Sequence, residues 1–386
     1  MTFPELTAQK RTDLSFRAMS DEDHHIAESP LTSLNIDLVR HFPLDYMHMA
    51  CLGIMRRLLM AWIGVPGGSK ACKLSASSIL GISQRLLSLR KHLPLEFVRK
   101  PRALAEVDRW KATEFRQVLL YTGCVVFHGI LQDAVYQNFL LLHVAMRCLI
   151  SPVHSSNSET CDYVEQILVL FVKHCKQLYG ADFVVYNVHS ITHITDDARL
   201  FGSIQSVSCF PYENYMRKLK SMVRKNNLPL QQIVNRIMEQ RRSQAGKSAS
   251  VSSDSTALVC SNRHNKGPLH FTMPANKCKQ YSQLTCKQWS ATLSSNNSCV
   301  QLDDSSIALV RNIVVCQECI YVLVEKYVRV DSFFNYPAES SKFDIFRVAD
   351  LSGSVVIARG RDIRCKCVHL PADSDSCIAM PLIHCL

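Results

Sequence analysis

The segment Phe42–His48 places a carboxylate and an imidazole three residues apart, a combination that could cap a helix or hold a divalent metal. Pro43 disfavours helix at the preceding residue, so the chain should arrive extended and turn into a helix near Asp45. An aspartate at that position can accept free backbone N–H groups or bind a metal, with His48 on the same side. The alternative interpretation makes Asp45 an N-cap and His48 a packed core side chain.

A second segment carries His189 and His193 four residues apart, followed by Asp196 and Asp197. On a helix the two imidazoles would share one face, which is an arrangement that suits a metal. However, no carboxylate or cysteine at a fixed spacing completes a tetrahedral ligand set. We therefore favour structural histidines over metal ligands here.

A third segment begins with an acid and continues with a line of cations. Glu213 lies in the first turn of a helix predicted to begin after Pro211, and Arg217, Lys220 and Arg224 follow at intervals of four, three and four. Residues 217–242 contain eight Lys or Arg and a single acid. Such a face is either a solvated surface or a surface that contacts nucleic-acid phosphates.

Other signals of chemistry are weak in this sequence. The motifs GxGxxG, GxxxxGK[ST], GxSxG and HExxH do not occur, so nucleotide binding and the corresponding hydrolase mechanisms have no support. Cys316 and Cys319 form a CxxC pair that could complete a zinc site with Cys365 and Cys367 if their strands were neighbours. The alternative, that all four are ordinary strand residues, is favoured because one CxxC is a weak signal.

The composition is that of an ordinary globular protein of two domains. The 386 residues are 47% hydrophobic and 20% charged, with a net charge of +11. No apolar stretch reaches the roughly 18 residues of a membrane-spanning helix, and the amino terminus has no apolar signal segment. We therefore expect an intracellular protein without a membrane partner. The 17 cysteines are an odd number scattered through apolar runs, which indicates reduced thiols.

Hydrophobic periodicity divides the chain into a helical part and a β part, so the predicted fold class is α+β. The predicted domains are an irregular lead-in (1–28), a mainly helical domain (29–242), a Ser-rich linker (243–262) and a small all-β domain (263–386). The predicted helices are Tyr46–Ile63, Ser77–His92, Trp110–Gln132, Ala134–Ile150, Asn157–Tyr179 and Tyr212–Arg224. The predicted strands are Ser306–Val315, Cys319–Val330, Phe343–Val348, Ser354–Ile357 and Ile363–His369.

Several segments, taken in order, resemble the carboxy-terminal half of proteins encoded by CACTA (En/Spm-like) DNA transposons. They are HFPLDYMHMACLGIMRRLL, LPLEFVRKPRALAEVDRWKATEFRQVLLYTGCVVF, YNVHSITHI and FPYENYMRKLKSMVRKNNLPLQQ. The later text VEKYVRVDSFFNYPAESSKFDIFRVADLS is similar to the β unit that follows in animal members. The resemblance runs from about Ser29 to Arg242 and continues into this β unit.

The resemblance implies a cut-and-paste transposase with a ribonuclease-H-like core, in which three acids hold two Mg²⁺ or Mn²⁺ ions. Asp45 and Glu213 are the implied catalytic residues, Asp37 competes with Asp45 for its role, and the implied metal ligands are Asp45, His48 and Glu213. DNA is the implied partner and the nucleus the implied location. The implied nucleic-acid contacts are Arg217, Lys218, Lys220, Arg224 and Lys225.

The sequence departs from this family at the first acid, which should lie on an early strand upstream of Asp45, where only 44 residues precede. We therefore expect a partial transposase core that is catalytically incomplete, without a metal cofactor, and that keeps nucleic-acid binding. One alternative is an active metal-dependent enzyme whose upstream segment is missing from this sequence. Another is a non-functional truncated gene product, and homo-oligomer formation stays open.

Overall fold

The structure is a computed structural model that describes residues 1–64, 72–245 and 258–384. In these ranges the chain is helical up to residue 245 and is an antiparallel β structure from residue 259 onward. The α-helices of the described ranges are α1 (Asp13–Arg17), α2 (Arg56–Ile63), α3 (Ala76–Ser88), α4 (Ala112–Gln117), α5 (Gly123–Val126), α6 (Asp133–Ile150), α7 (Pro152–Ser155), α8 (Ser158–Tyr179), α9 (Tyr186–Ser190), α10 (Ile194–Phe201), α11 (Phe210–Met222) and α12 (Pro229–Ala245).

Helices α6 and α8 form the centre of the helical part. Nearly every residue of α6 is buried, which its almost continuous apolar sequence predicts. Helix α8 packs against it with one apolar face. The predicted start of α8 is confirmed, because the Asn157 side chain accepts a hydrogen bond from Thr160 N–H at 2.9 Å. Its predicted end is also confirmed, since Gly180 follows with a φ of 92° that favours glycine.

Two stretches of the helical part are π-helical, Met47–Met55 before α2 and Val118–Thr122 between α4 and α5. A π-helix has hydrogen bonds between residues five apart, which departs from the regular α-helical pattern. Side chains of α6 contact two backbone carbonyl groups of the second stretch. His143 Nδ1 lies 2.6 Å from Leu119 O, and Arg147 Nη1 lies 2.9 Å from Leu120 O. The helix predicted over Trp110–Gln132 is therefore too long, because helical structure covers only residues 112–126 as three successive pieces.

Six strands of the carboxy-terminal part pair in a closed antiparallel ring, in the order β5-β4-β8-β9-β7-β6 and back to β5. A meander of three further strands joins this barrel through β2, which pairs with β5, β1 and β3. The strands are β1 (Val259–His264), β2 (Cys278–Thr285), β3 (Ser290–Thr292), β4 (Cys299–Leu302), β5 (Ile307–Cys316), β6 (Cys319–Ser332), β7 (Phe346–Arg359), β8 (Ile363–Pro371) and β9 (Cys377–Pro381).

The predicted β character is confirmed, with corrections to individual strands. The sequence predicts two strands, Phe343–Val348 and Ser354–Ile357, but residues 346–359 form the single strand β7. The hairpin between β5 and β6 turns at Gln317 and Glu318, whose φ values of 50° and 66° are those of a tight two-residue turn. The structure places residues 243–245 of the predicted linker in α12 and Val259 onward in β1, while 246–257 lie outside the described residues.

One hydrophobic core extends from the helices into the barrel. It joins Phe97 and Tyr121 of the helical part with Val368 and Ile378 of β8 and β9. Within the described ranges, no helix is long and apolar enough to cross a membrane.

Candidate functional site

Asp45 connects the starts of two helical segments that are far apart in the sequence. Its carboxylate accepts N–H groups of Met47 at 3.2 Å and His48 at 3.1 Å, which caps the π-helical stretch as its sequence position predicts. It also accepts the N–H of Cys209 at 2.9 Å, at the residue that precedes α11. Burial opposes ionisation of this carboxyl group, but hydrogen bonds from Cys209 and His48 outweigh it, so the pKa of Asp45 is lowered.

His48 is not a packed core side chain, so that part of the alternative interpretation is wrong, while its other part, Asp45 as an N-cap, is confirmed. The His48 side chain is 57% exposed, and its Nδ1 lies 2.6 Å from Asp45 Oδ2. The interpretation of Asp45 and His48 as a pair on one side of the helix is therefore the one that matches the geometry.

Cys209 joins this pair to form a group of three potential ligands. A carboxylate oxygen of Asp45, a ring nitrogen of His48 and the sulfur of Cys209 lie within 4.8 Å of one another, the one such group among the described residues. Burial and the negative charge of Asp45 raise the pKa of Cys209. Sequence reasoning missed Cys209, because the helix was predicted to begin at Tyr212, whereas α11 begins at Phe210, directly after this cysteine.

Aromatic side chains beside this group hold α11 against the rest of the helical part. Phe210 is buried, its ring centroid lies 5.6 Å from that of Tyr46, and the Arg116 guanidinium lies 4.1 Å from the Phe210 ring centroid. The Tyr46 hydroxyl donates to Gln205 Oε1 at 2.7 Å. Burial, the largest influence, raises the pKa of Tyr46. These contacts anchor the first turn of α11.

The other sequence-predicted acids lie outside the three-ligand group. Glu213 is exposed in the first turn of α11, and its N–H donates to Cys209 O at 3.0 Å. Asp37 caps a separate turn, where its Oδ1 accepts N–H groups of Val39 and Arg40. The structure thus brings Asp45 and His48 together, places Glu213 one helical turn beyond Cys209, and gives Asp37 a local hydrogen-bonding role.

His189 and His193 contact each other but form no metal-ligand group within the described residues. Their ring centroids are 5.4 Å apart, and His189 Nδ1 lies 3.1 Å from Phe3 O. Burial is the largest of the influences that lower the pKa of His193, followed by the charges of His189 and Lys10. His189 thus has a backbone hydrogen-bonding partner, which is compatible with the structural role that we favoured for these histidines.

The predicted cationic segment forms a hairpin of α11 and α12. Helix α11 ends at Met222, two residues earlier than predicted, so Arg224 and Lys225 lie in the turn. The Gln232 side chain holds this turn, because its Oε1 accepts Arg224 N–H at 3.0 Å and its Nε2 donates to Lys225 O at 2.8 Å. The turn between α11 and α12 therefore has a defined conformation.

Cationic side chains of this hairpin are exposed to solvent. Within the described residues no ion pair involves its predicted phosphate contacts, which are Arg217, Lys218, Lys220, Arg224 and Lys225. Only Phe210 and Met222 of α11 are buried, so the rest of this helix is open to a partner. Tyr212 and Tyr215 are also exposed among these cations, and the Lys218 ammonium lies 5.7 Å from the Tyr215 ring centroid.

The cysteines of the barrel occupy two different places. Cys316 is paired across the sheet with Cys278 on one side and Cys319 on the other. Cys367 instead lies in a small buried cluster with Cys299, and Cys365 packs at the edge of that cluster. The alternative of a zinc site built from two pairs therefore finds no support, since these residues form no ligand group in the described ranges.

Comparisons with known proteins give two matches to family models. Residues 150–244 match a family described as Domain of unknown function (DUF4218), and residues 263–382 match one described as Domain of unknown function (DUF8592). No curated protein and no solved structure matches this chain. The first match contains α11 and nearly all of α12, and the second covers the barrel. Asp45 and His48 precede both matches.

Proposed function

We propose that this chain is a transposon-derived nucleic-acid-binding protein, similar to the carboxy-terminal part of a DDE-type DNA transposase and catalytically incomplete. In this proposal the α11–α12 hairpin binds DNA through its phosphates. The observation that carries the proposal is the concentration of exposed cations on one hairpin, where the five predicted phosphate contacts make no ion pair among the described residues. Eight Lys or Arg and one acid occupy residues 217–242, and in the described ranges Arg236 alone of these cations pairs with the acid, Glu239. Phosphate neutralisation is the main source of sequence-independent affinity for DNA.

Exposed aromatic side chains support nucleic acid over other polyanions. Tyr212 and Tyr215 lie on the same helix as Arg217 and Lys218, and both rings are open to solvent. Tyrosine rings stack on unpaired bases, and a cationic groove with such rings is the usual arrangement for single strands. The proposal therefore includes single-stranded segments beside a duplex, and a nuclear location follows from the partner.

The salt dependence of binding tests this proposal. Fluorescence anisotropy of a labelled DNA duplex should show an affinity that falls with salt, with a log–log slope of about −4 if about four phosphates are contacted. Replacing Lys220 and Arg224 together by Ala should reduce the magnitude of that slope by about two. A salt response that stays flat would contradict the proposal.

A matched control separates the hairpin from net charge. Lys287→Ala with Arg361→Ala removes the same two charges from exposed positions of the β part. This variant should keep the slope of the unmodified chain. Equal losses in the two double variants would mean that total charge, and not the hairpin, determines binding.

A second proposal is metal-dependent cleavage by a longer chain with a ribonuclease-H-like core. The observation in its favour is that Asp45 and His48 lie beside Cys209, the residue that precedes α11. Glu213 lies in the first turn of the same helix. Mg²⁺ ions are bound by oxygen ligands. The three-ligand group instead offers one carboxylate, one imidazole and one thiol, so it does not match a site for two Mg²⁺ ions. Loss of Mn²⁺-dependent nicking in Glu213→Gln of an extended chain is the expected result of this alternative.

A further inference from the structure

The mixed chemistry of the three-ligand group distinguishes it from an ordinary ion pair. It contains one oxygen, one nitrogen and one sulfur donor, all within 4.8 Å of one another. The donors come from two segments, since Asp45 and Cys209 are 164 residues apart. The backbone holds the two segments together, because Cys209 N–H donates to Asp45 Oδ1 at 2.9 Å. The approach of the thiol to the carboxylate is therefore built into the packing of α11.

We propose that Asp45, His48 and Cys209 bind one zinc-class transition-metal ion. Thiolate and imidazole ligands favour Zn²⁺ over Mg²⁺, and zinc accepts a carboxylate oxygen beside them. Three protein ligands leave a fourth position for water, as in sites that are open to solvent. This assignment differs from the two-Mg²⁺ site of the resemblance, and it does not depend on DNA binding by the hairpin.

The surroundings of the group suit a metal site. The remaining hydrogen bonds of the Asp45 carboxylate come from the N–H groups of Met47 and His48, and ligating carboxylates are commonly oriented in this way. His48 is more than half exposed, so its ring can move away from its 2.6 Å contact with Asp45 to admit an ion. The same exposure gives the ion a path from solvent.

Cobalt is a spectroscopic probe for this site because Co²⁺ substitutes for Zn²⁺ with similar ligands. The full chain, stripped of metal and kept reduced, is titrated with Co²⁺ and then with Zn²⁺. The expected result is one bound Co²⁺ with a thiolate-to-cobalt charge-transfer band, which Zn²⁺ abolishes. Cys209→Ser should lose the charge-transfer band, and His48→Gln should weaken binding about tenfold or more.

The control is Cys319→Ser, which removes an exposed thiol of the barrel. It should keep both the band and the affinity. Both test variants leave the Asp45 cap in place, so circular dichroism should show unchanged helix content. Persistence of the charge-transfer band in Cys209→Ser, its loss in Cys319→Ser, or the absence of bound Co²⁺ would each overturn the proposal.

Discussion

Lys366 of the barrel makes a buried ion pair with Glu96 of the helical part. The Lys366 ammonium lies 2.8 Å from Glu96 Oε2, and its side chain is 0% exposed. It also donates to Ser290 O at 2.6 Å and to Asn297 Oδ1 at 2.7 Å. Because the two charges belong to different parts of the chain, this pair links the barrel to the helices.

Removing the negative partner should therefore destabilise the whole chain. Glu96→Gln removes the carboxylate charge that lies 2.8 Å from the buried Lys366 ammonium, and we expect the free energy of unfolding to fall by about 3–5 kcal/mol. Glu96→Leu combined with Lys366→Met removes both charges and should cost less than Glu96→Gln. Urea unfolding of the three proteins, followed by circular dichroism, measures these differences.

An exposed ion pair is the control for this prediction. Arg329 and Asp350 lie 3.6 Å apart with both side chains more than half exposed. Asp350→Asn should change stability by at most about 1 kcal/mol. If Glu96→Gln had an equally small effect, the buried pair would not link the two parts.

The Asp45 carboxylate should contribute to stability as a cap for two helical segments. Asp45→Ala leaves the N–H groups of Met47, His48 and Cys209 without their acceptor, and we expect a loss of about 2 kcal/mol or more in metal-free buffer. Asp45→Asn keeps one acceptor oxygen and should lose less. Asp37→Ala removes the cap of a surface turn and should cost below about 1 kcal/mol. A larger effect of Asp37→Ala would contradict this view.

Buried neutral histidines should make the protein sensitive to acid. Burial lowers the pKa of His143 to about 3, of His369 to about 4 and of His384 to about 3. In the unfolded chain these histidines bind protons near the ordinary histidine pKa of about 6.5. Their burial therefore does not reduce the free energy of unfolding above that pH, where they are neutral in both states. The free energy of unfolding then decreases progressively as the pH falls from about 6.5 toward these folded-state values.

The substitution His369→Gln tests one of these contributions. The Tyr327 hydroxyl lies 2.8 Å from His369 Nε2, and the glutamine side chain amide can still form a hydrogen bond with this hydroxyl. Between pH 6 and pH 5, the stability of the unmodified protein should fall more steeply than that of the variant, by up to about 1.4 kcal/mol per pH unit. Parallel pH profiles from urea unfolding would show that this histidine titrates normally.

Among the described cysteines, Cys319 should react first with a thiol reagent. It is the exposed thiol of that set, whereas burial raises the pKa of Cys124 and of Cys148 to about 12. The experiment uses a Cys385→Ser variant, so that only described cysteines are compared. Its reaction with Ellman's reagent should have one fast kinetic phase, from a single thiol, and the additional substitution Cys319→Ser should remove that fast phase. Several thiols reacting at one rate would indicate a more open structure.

The periodicity of the sequence was sufficient to predict most helices and the β character of the second part. Apolar residues at intervals of three and four determine which face of a helix is buried, and Asn157 and Gly180 mark the ends of α8 by local hydrogen bonding and backbone freedom. The same local reasoning missed five strands, β1 to β4 and β9, and the helices α1, α7, α9, α10 and α12. Short, partly exposed strands such as β3 carry too few residues for a clear pattern.

Local sequence patterns were enough to predict the helical and β parts, their order, and the proximity of Asp45 and His48 across one turn. They could not predict that Cys209 lies beside this pair, that six strands close into a barrel, or that Lys366 contacts Glu96. Hydrogen bonds within a helix and side-chain periodicity depend on neighbours a few residues away, whereas contacts between residues 164 or 270 positions apart depend on how whole elements pack.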